Sequence, residues 1–155
     1  MGDLMAEGQR LASRTMILLG LAGLLPFIAT SLGFLVFDDL LRALSQRAFL
    51  LYSTAILCFL AGTLWGETLP RPQSGQRATI LVSNGVVLFA VTAMLTAQPL
   101  VAAIMLMLGH LAQLWYERES LHRPYWYLKL RTGLSLTAAA CHGVFIAGLV
   151  SLGSP

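Results

Sequence analysis

The chain has 155 residues, of which 57% are hydrophobic and only 11% charged, with a mean hydropathy of +0.74. Ordinary soluble domains are about 45–50% apolar and about 25% charged, so this composition excludes a water-solvated globule and requires lipid as solvent. The net charge of +3 comes from basic residues set singly at the ends of apolar runs, which speaks against a nucleic-acid partner and for topology signals.

Residues 1–14 carry Asp3 and Glu7 beside Arg10 and Arg14, a poor match to an organellar transit peptide. The following run, Thr15 to Phe37, is too long for a signal-peptide core and ends in Asp38 and Asp39 without a small-residue cleavage pattern. It predicts the first of five transmembrane helices, at about 15–37, with a kink at Pro26 where a backbone donor is missing. The linker DDLLRALSQR spaces Leu40, Leu41 and Leu44 for one face of a short helix lying on the membrane surface.

The second helix is expected at about 48–66. Thr54, Cys58, Gly62 and Gly66 recur every four residues on it, a stripe of small side chains against which another helix can lie closely. Trp65 and Glu67 mark its exit from the hydrocarbon. After the proline-rich loop ETLPRPQSGQR, the uncharged run from Ala78 to Tyr116 would measure about 58 Å as one helix, nearly twice the hydrocarbon thickness. It is therefore read as two helices, at about 78–97 and 99–116, divided at Gln98-Pro99.

The linker ERESLHRPYWYLKLR supplies Tyr125, Trp126 and Tyr127 to an aromatic belt with Trp115 and Tyr116, and contains His122, an expected solvated residue. The fifth helix is expected at about 124–153. Its own small stripe, Ser135, Ala139, Gly143, Ala147 and Ser151, is the natural match for that of the second helix, which places Gly62, Gly66, Ala139 and Gly143 at helix contacts. Arg10, Arg14, Arg71, Arg77, Arg118, Arg123, Lys129 and Arg131 fall on one side of this five-helix, single-domain bundle (residues 1–155), against Arg42 and Arg47 on the other. The positive-inside rule then puts the N-terminus inside and the C-terminus outside.

Three stretches, LLPF, YSTAILCFLAGTLWG and PYWYLKLRTGLSLT, resemble the domain of unknown function 3429 family, transmembrane protein 69-like membrane proteins. The resemblance covers nearly the whole chain and rests most specifically on Phe59 to Gly66 and Trp126 to Arg131. Members often carry a basic residue where this chain has Leu64. The resemblance implies a small polytopic protein of the bacterial inner membrane and supplies no activity.

Polar residues inside a bilayer are functional candidates by default. With the turn centred near Ala97 and Gln98, Asn84 and His110 lie nearly equidistant from it, each about 9 Å in from the cytoplasmic end. They are expected to meet across the hairpin, with Gln113 one turn away and Glu67 nearby, forming a polar pocket open to the cytoplasm. A haem between His110 and His142 is disfavoured, because His142 is expected near the bilayer centre and His110 about 9 Å closer to the cytoplasm. Cys58 and Cys141 lie in apolar runs and are read as packing thiols rather than a disulfide or metal pair. With no catalytic motif, phosphate loop or cofactor signature, the first expectation is a non-enzymatic accessory or assembly factor that contacts lipid and other membrane subunits. The alternative is a small carrier or sensor that binds a lipid, a quinone or a proton in the Glu67, Asn84, His110 and Gln113 pocket.

Overall fold

A computed structural model describes residues 2–68, 76–121 and 123–152, with side chains from Leu11 onward except that of Ala12. The loop containing Arg71, the linker His122, the Arg10 side chain and residues 153–155 lie outside the described residues. The described chain is all-α: α1 (Gly2–Ala22), α2 (Leu24–Val36), α3 (Asp39–Thr68), α4 (Gln76–Leu95), α5 (Pro99–Ser120) and α6 (Tyr125–Leu152). Five stretches are long and apolar enough to cross a membrane, the first being Ser13–Val36, which joins the end of α1 to α2.

Several boundaries differ from the sequence expectation, among them the end of α5, at Ser120 rather than near 116. The first span breaks at Gly23 rather than bending at Pro26. Proline both lacks the N–H that would bond the Ala22 carbonyl and crowds that carbonyl, so the disturbance falls four residues upstream. The Tyr52 hydroxyl donates to the Gly23 carbonyl at 2.8 Å and anchors the break against α3. The linker expected as a separate surface helix is instead the first turns of α3. Residues 39–48 contain neither Gly nor Pro, so once the helix starts nothing stops it. The α4–α5 turn is tight enough to hold Ala97 at φ 55°, a left-handed conformation costing about 1–2 kcal/mol for a residue with a Cβ.

Four helices close a ring in which α2 packs on α3, α3 on α5, α5 on α6, and α6 on α2, while α4 lies outside against α3 and α5. Across the ring α3 and α6 are separated by side chains, with Phe49 stacked on Phe145 at 4.4 Å between centroids. The interior has two halves. Toward the α2–α3 turn it is aromatic, built from Phe27, Phe34, Phe49 and Phe145, all at most 4% exposed. Toward the α5–α6 turn it is polar.

The glycines of the small stripes are not where the helices meet, although Ser135 of the α6 stripe is buried. Gly62, Gly66 and Gly143 are exposed, and a Cβ built on any of them meets nothing within 4 Å. Ala139 is half-buried. The face of α3 that packs is one residue over, at Ser53, Leu57, Ala61, Leu64 and Thr68, a rotation of about 100° that four-residue spacing alone does not fix. Close approaches occur at other glycines: a Cβ on Gly109 would lie 2.7 Å from Leu57, and one on Gly148 2.6 Å from Leu35.

Candidate functional site, a buried polar column

One face of α5 carries His110, Gln113 and Glu117, each about 1% exposed, because residues three and four apart stack along a helix. From α3 the column receives Ser53, and from α6 Arg131, Ser135 and His142, all buried. It has an ionic part near the α5–α6 turn and an imidazole part deeper in the ring.

In the ionic part Arg131 grips Glu117 with two bonds, Nε to Oε2 at 3.0 Å and Nη2 to Oε1 at 3.1 Å. This bidentate fork is the strong geometry for a guanidinium and a carboxylate. Gln113 Nε2 donates to Glu117 Oε1 at 3.1 Å, and Arg131 Nη1 donates to Ser135 Oγ at 2.5 Å. The pair is neutral overall and most of its hydrogen-bonding capacity is used, the conditions under which two buried charges can be held away from water. Gln113 Oε1 has no partner among the described residues.

In the imidazole part, Ser53 Oγ lies 3.2 Å from His110 Nε2 and 2.9 Å from His142 Nε2. His142 Nδ1 lies 2.8 Å from the Ala138 carbonyl, which can only accept, so Nδ1 carries the proton. For a neutral ring, His142 Nε2 is then a lone pair that accepts from the Ser53 hydroxyl. Having given its only proton, Ser53 Oγ accepts from His110 Nε2–H. The result is a directed chain from His110 through Ser53 to His142 and on to the Ala138 carbonyl. Phe27 packs against both rings, at 5.9 Å from His110 and 5.7 Å from His142, and Phe49 lies 4.8 Å from His142.

The expected pocket is thus only partly assembled. His110 and Gln113 share the column. Asn84 does not: it is exposed on the outer face of α4, where Nδ2 donates to its own helix at the Ile80 carbonyl, 2.9 Å away. Matching depth on a hairpin does not set rotation, and the inner face of α4 is taken by Thr79, Ser83, Ala90 and Ala93. Glu67 is at the end of α3, ion-paired at 2.9 Å with Arg123, whose guanidinium covers the Tyr127 ring at 4.7 Å. Among the described residues the members of the column are all buried. A cleft of about 280 Å³ lies at the opposite end, lined in part by Asp39, Arg42 and Gln46.

His110 and His142 are not separated in depth as expected, since their ring centroids are 5.6 Å apart. Helical side chains lean toward the N-terminus of their own helix, so on antiparallel α5 and α6 the two rings lean toward each other. Ser53 Oγ stands between the two Nε2 atoms, in the space an iron would need.

A family model described as Protein of unknown function (DUF3429) matches residues 12–147. The chain belongs to this family. No curated protein and no solved structure matches it. The matched region of the DUF3429 chain contains every residue of the column. Ser53 and Glu117 do not stand out in the sequence, where Arg131 reads as a topology charge and Ser135 as a member of the small stripe. Ser53 is hidden behind the neighbouring stripe at Thr54, and Glu117 looks like a linker charge. The available signal was the spacing His110, Gln113, Glu117, which places all three on one helical face.

Proposed function

We propose that the DUF3429 chain is a multi-pass protein of the bacterial inner membrane, N-terminus in the cytoplasm and C-terminus outside, that holds an exchangeable proton on its Ser53-linked histidine pair and senses acidity on the cytoplasmic side. The five apolar helices and the basic residues clustered on one side support the placement. The proton reading rests on one observation, the directed chain from His110 through Ser53 to His142. Lipid and quinone need an open cavity, whereas a proton needs only a hydrogen-bonded path.

The relay balances. A proton taken up at His110 Nδ1 makes that ring cationic; its Nε2 proton passes to Ser53, and the Ser53 proton passes to His142 Nε2. The charge then resides on His142, whose Nδ1–H remains bonded to the Ala138 carbonyl. The polar half of the ring, with Gln113 and the neutral Glu117–Arg131 pair, faces the side from which the proton comes. The aromatic half closes the other side, which favours a sensor over a channel. We read the chain as non-enzymatic because the Ser53 hydroxyl is fully buried and held by both imidazoles.

Nitrogen NMR of histidine-labelled protein in lipid nanodiscs tests this reading. His142 is expected as the Nδ1–H tautomer and His110 as the Nε2–H tautomer, and both should change together as the medium is acidified. Replacement His110→Gln should abolish the response of His142. An unchanged His142 titration in that variant would refute the relay.

A role as an accessory or assembly factor is favoured by a separate observation. The connections α1–α2, α2–α3 and α4–α5 are only a few residues long and leave no soluble module there, so a partner would be met within the bilayer. Stable co-purification of another membrane protein would support it.

A further inference from the structure

We propose that two copies of this chain pair through the outer face of α4, with the Asn84 carboxamide of each copy hydrogen-bonded to that of the other. Asn84 lies about 12 Å from the Gln76 end of α4 and about 16 Å from the Leu95 end at helical rise, so in a bilayer it sits in the hydrocarbon. One amide hydrogen is used on the Ile80 carbonyl. The remaining N–H and the carbonyl oxygen face outward, where lipid tails offer no partner, and an unsatisfied polar group there costs several kcal/mol. Intramembrane polar residues normally turn inward for this reason.

The surrounding face fits a helix. Leu81 (72% exposed), Leu88 (68%) and Leu95 (78%) recur every seven residues, and Asn84 and Val91 (44%) fill the alternate seam positions. This is the a/d pattern of a two-helix seam, in which a single asparagine sets the register. The opposite face, at Thr79, Ser83, Ala90 and Ala93, is the one already packed in the chain. Beside Asn84, a Cβ on Gly85 would meet nothing within 4 Å, so a partner backbone can come close.

The occupant is a second copy because a carboxamide is both donor and acceptor. Under a two-fold axis, each Asn84 supplies what the other lacks, and the leucines of the repeat meet their own equivalents. A foreign helix would have to bring a polar side chain at the same depth. The seam carries no charge from Leu81 to Leu95, so no like-charge contact opposes the pairing there. Arg77, the nearest ionisable residue on α4, is exposed one turn before Leu81, toward the headgroups.

Two differently tagged copies of the full chain, co-expressed and extracted in mild detergent, test the proposal. Wild-type copies should co-purify. Asn84→Leu should weaken pairing on the order of tenfold, the scale of one interhelical hydrogen-bonded contact, while Asn84→Gln retains it. With Leu88→Cys, oxidation should give a cross-linked dimer; with Leu136→Cys, on the outer face of α6, it should give no more than the native cysteines do. Equal pairing by Asn84→Leu and wild type would overturn the proposal, as would a wild-type chain monomeric at all concentrations. A monomer that retains one lipid in native mass spectrometry, lost in Asn84→Leu, would assign Asn84 to lipid and overturn it too.

Discussion

α4 and α5 are the arms of one hairpin, 20 and 22 residues long, and both are predominantly apolar. Yet α5 buries His110, Gln113 and Glu117 in the ring, while α4 turns Asn84 out. The difference follows from position. α5 is a member of the closed ring and has neighbours on both flanks that bring Ser53, Arg131 and His142 to it. Among the described residues α4 packs only into the groove between α3 and α5, and small residues at Ala90 and Ala93 suit that groove better than an amide. A polar side chain in this fold is therefore structural or not according to the rotation of its helix, independently of its depth.

The largest test of that contrast is Arg131→Leu. It leaves Glu117 buried as an unpaired carboxylate and should cost about 3–5 kcal/mol, read as thermal unfolding in detergent. Adding Glu117→Leu should recover most of the loss, because replacing a whole buried pair by apolar side chains is often neutral. If the single variant unfolded like wild type, the ionic part would contribute nothing to holding α5 against α6.

Next in size is Ser53→Ala. It removes the hydroxyl shared by two buried imidazoles, and an unsatisfied buried group costs about 1–3 kcal/mol. The variant should fold, lose stability within that range, and no longer couple the titrations of His110 and His142. A titration unchanged from wild type would break the chain at its centre.

How far the sequence carried these features depends on the kind of constraint. Helix number and approximate position follow from uncharged run lengths, and the split near Pro99 follows from proline chemistry, because both are properties of one segment. The break at Gly23 was misplaced by a few residues because the crowding caused by Pro26 acts on the preceding turn. Rotation is a property of pairs of helices. Four-residue spacing at Thr54, Cys58, Gly62 and Gly66 fits an outward stripe as well as an inward one, and only the packed bundle distinguishes it from Ser53, Leu57 and Ala61. For the same reason Glu117 and Arg131 read as linker and topology charges until α5 and α6 are laid side by side.

A smaller test compares two glycines. At Gly109 an added side chain meets Leu57 and Phe89, so Gly109→Leu should destabilise by about 1–3 kcal/mol through overpacking. At Gly62 nothing stands within 4 Å, and Gly62→Leu should cause no loss, since leucine is the better helix former by up to about 1 kcal/mol. Equal melting shifts for the two variants would mean that α3 has been given the wrong rotation.

The smallest expected effect is that of Asn84→Leu on the fold of the separated chain. Among the described residues its side chain bonds only its own helix, at Ile80, and it touches no part of the polar column. At a dilution where copies are apart, its thermal stability should match wild type within about 0.5 kcal/mol, the usual range for a surface position without special contacts. The comparison becomes sharp when His110→Leu is run beside it. That variant removes an equally deep polar group from the other arm of the hairpin and leaves Ser53 without the donor it accepts from, so a clear loss of stability is expected. If Asn84→Leu cost as much as His110→Leu under these conditions, α4 would have to bury its amide against the ring, and the distinction between the two arms would disappear.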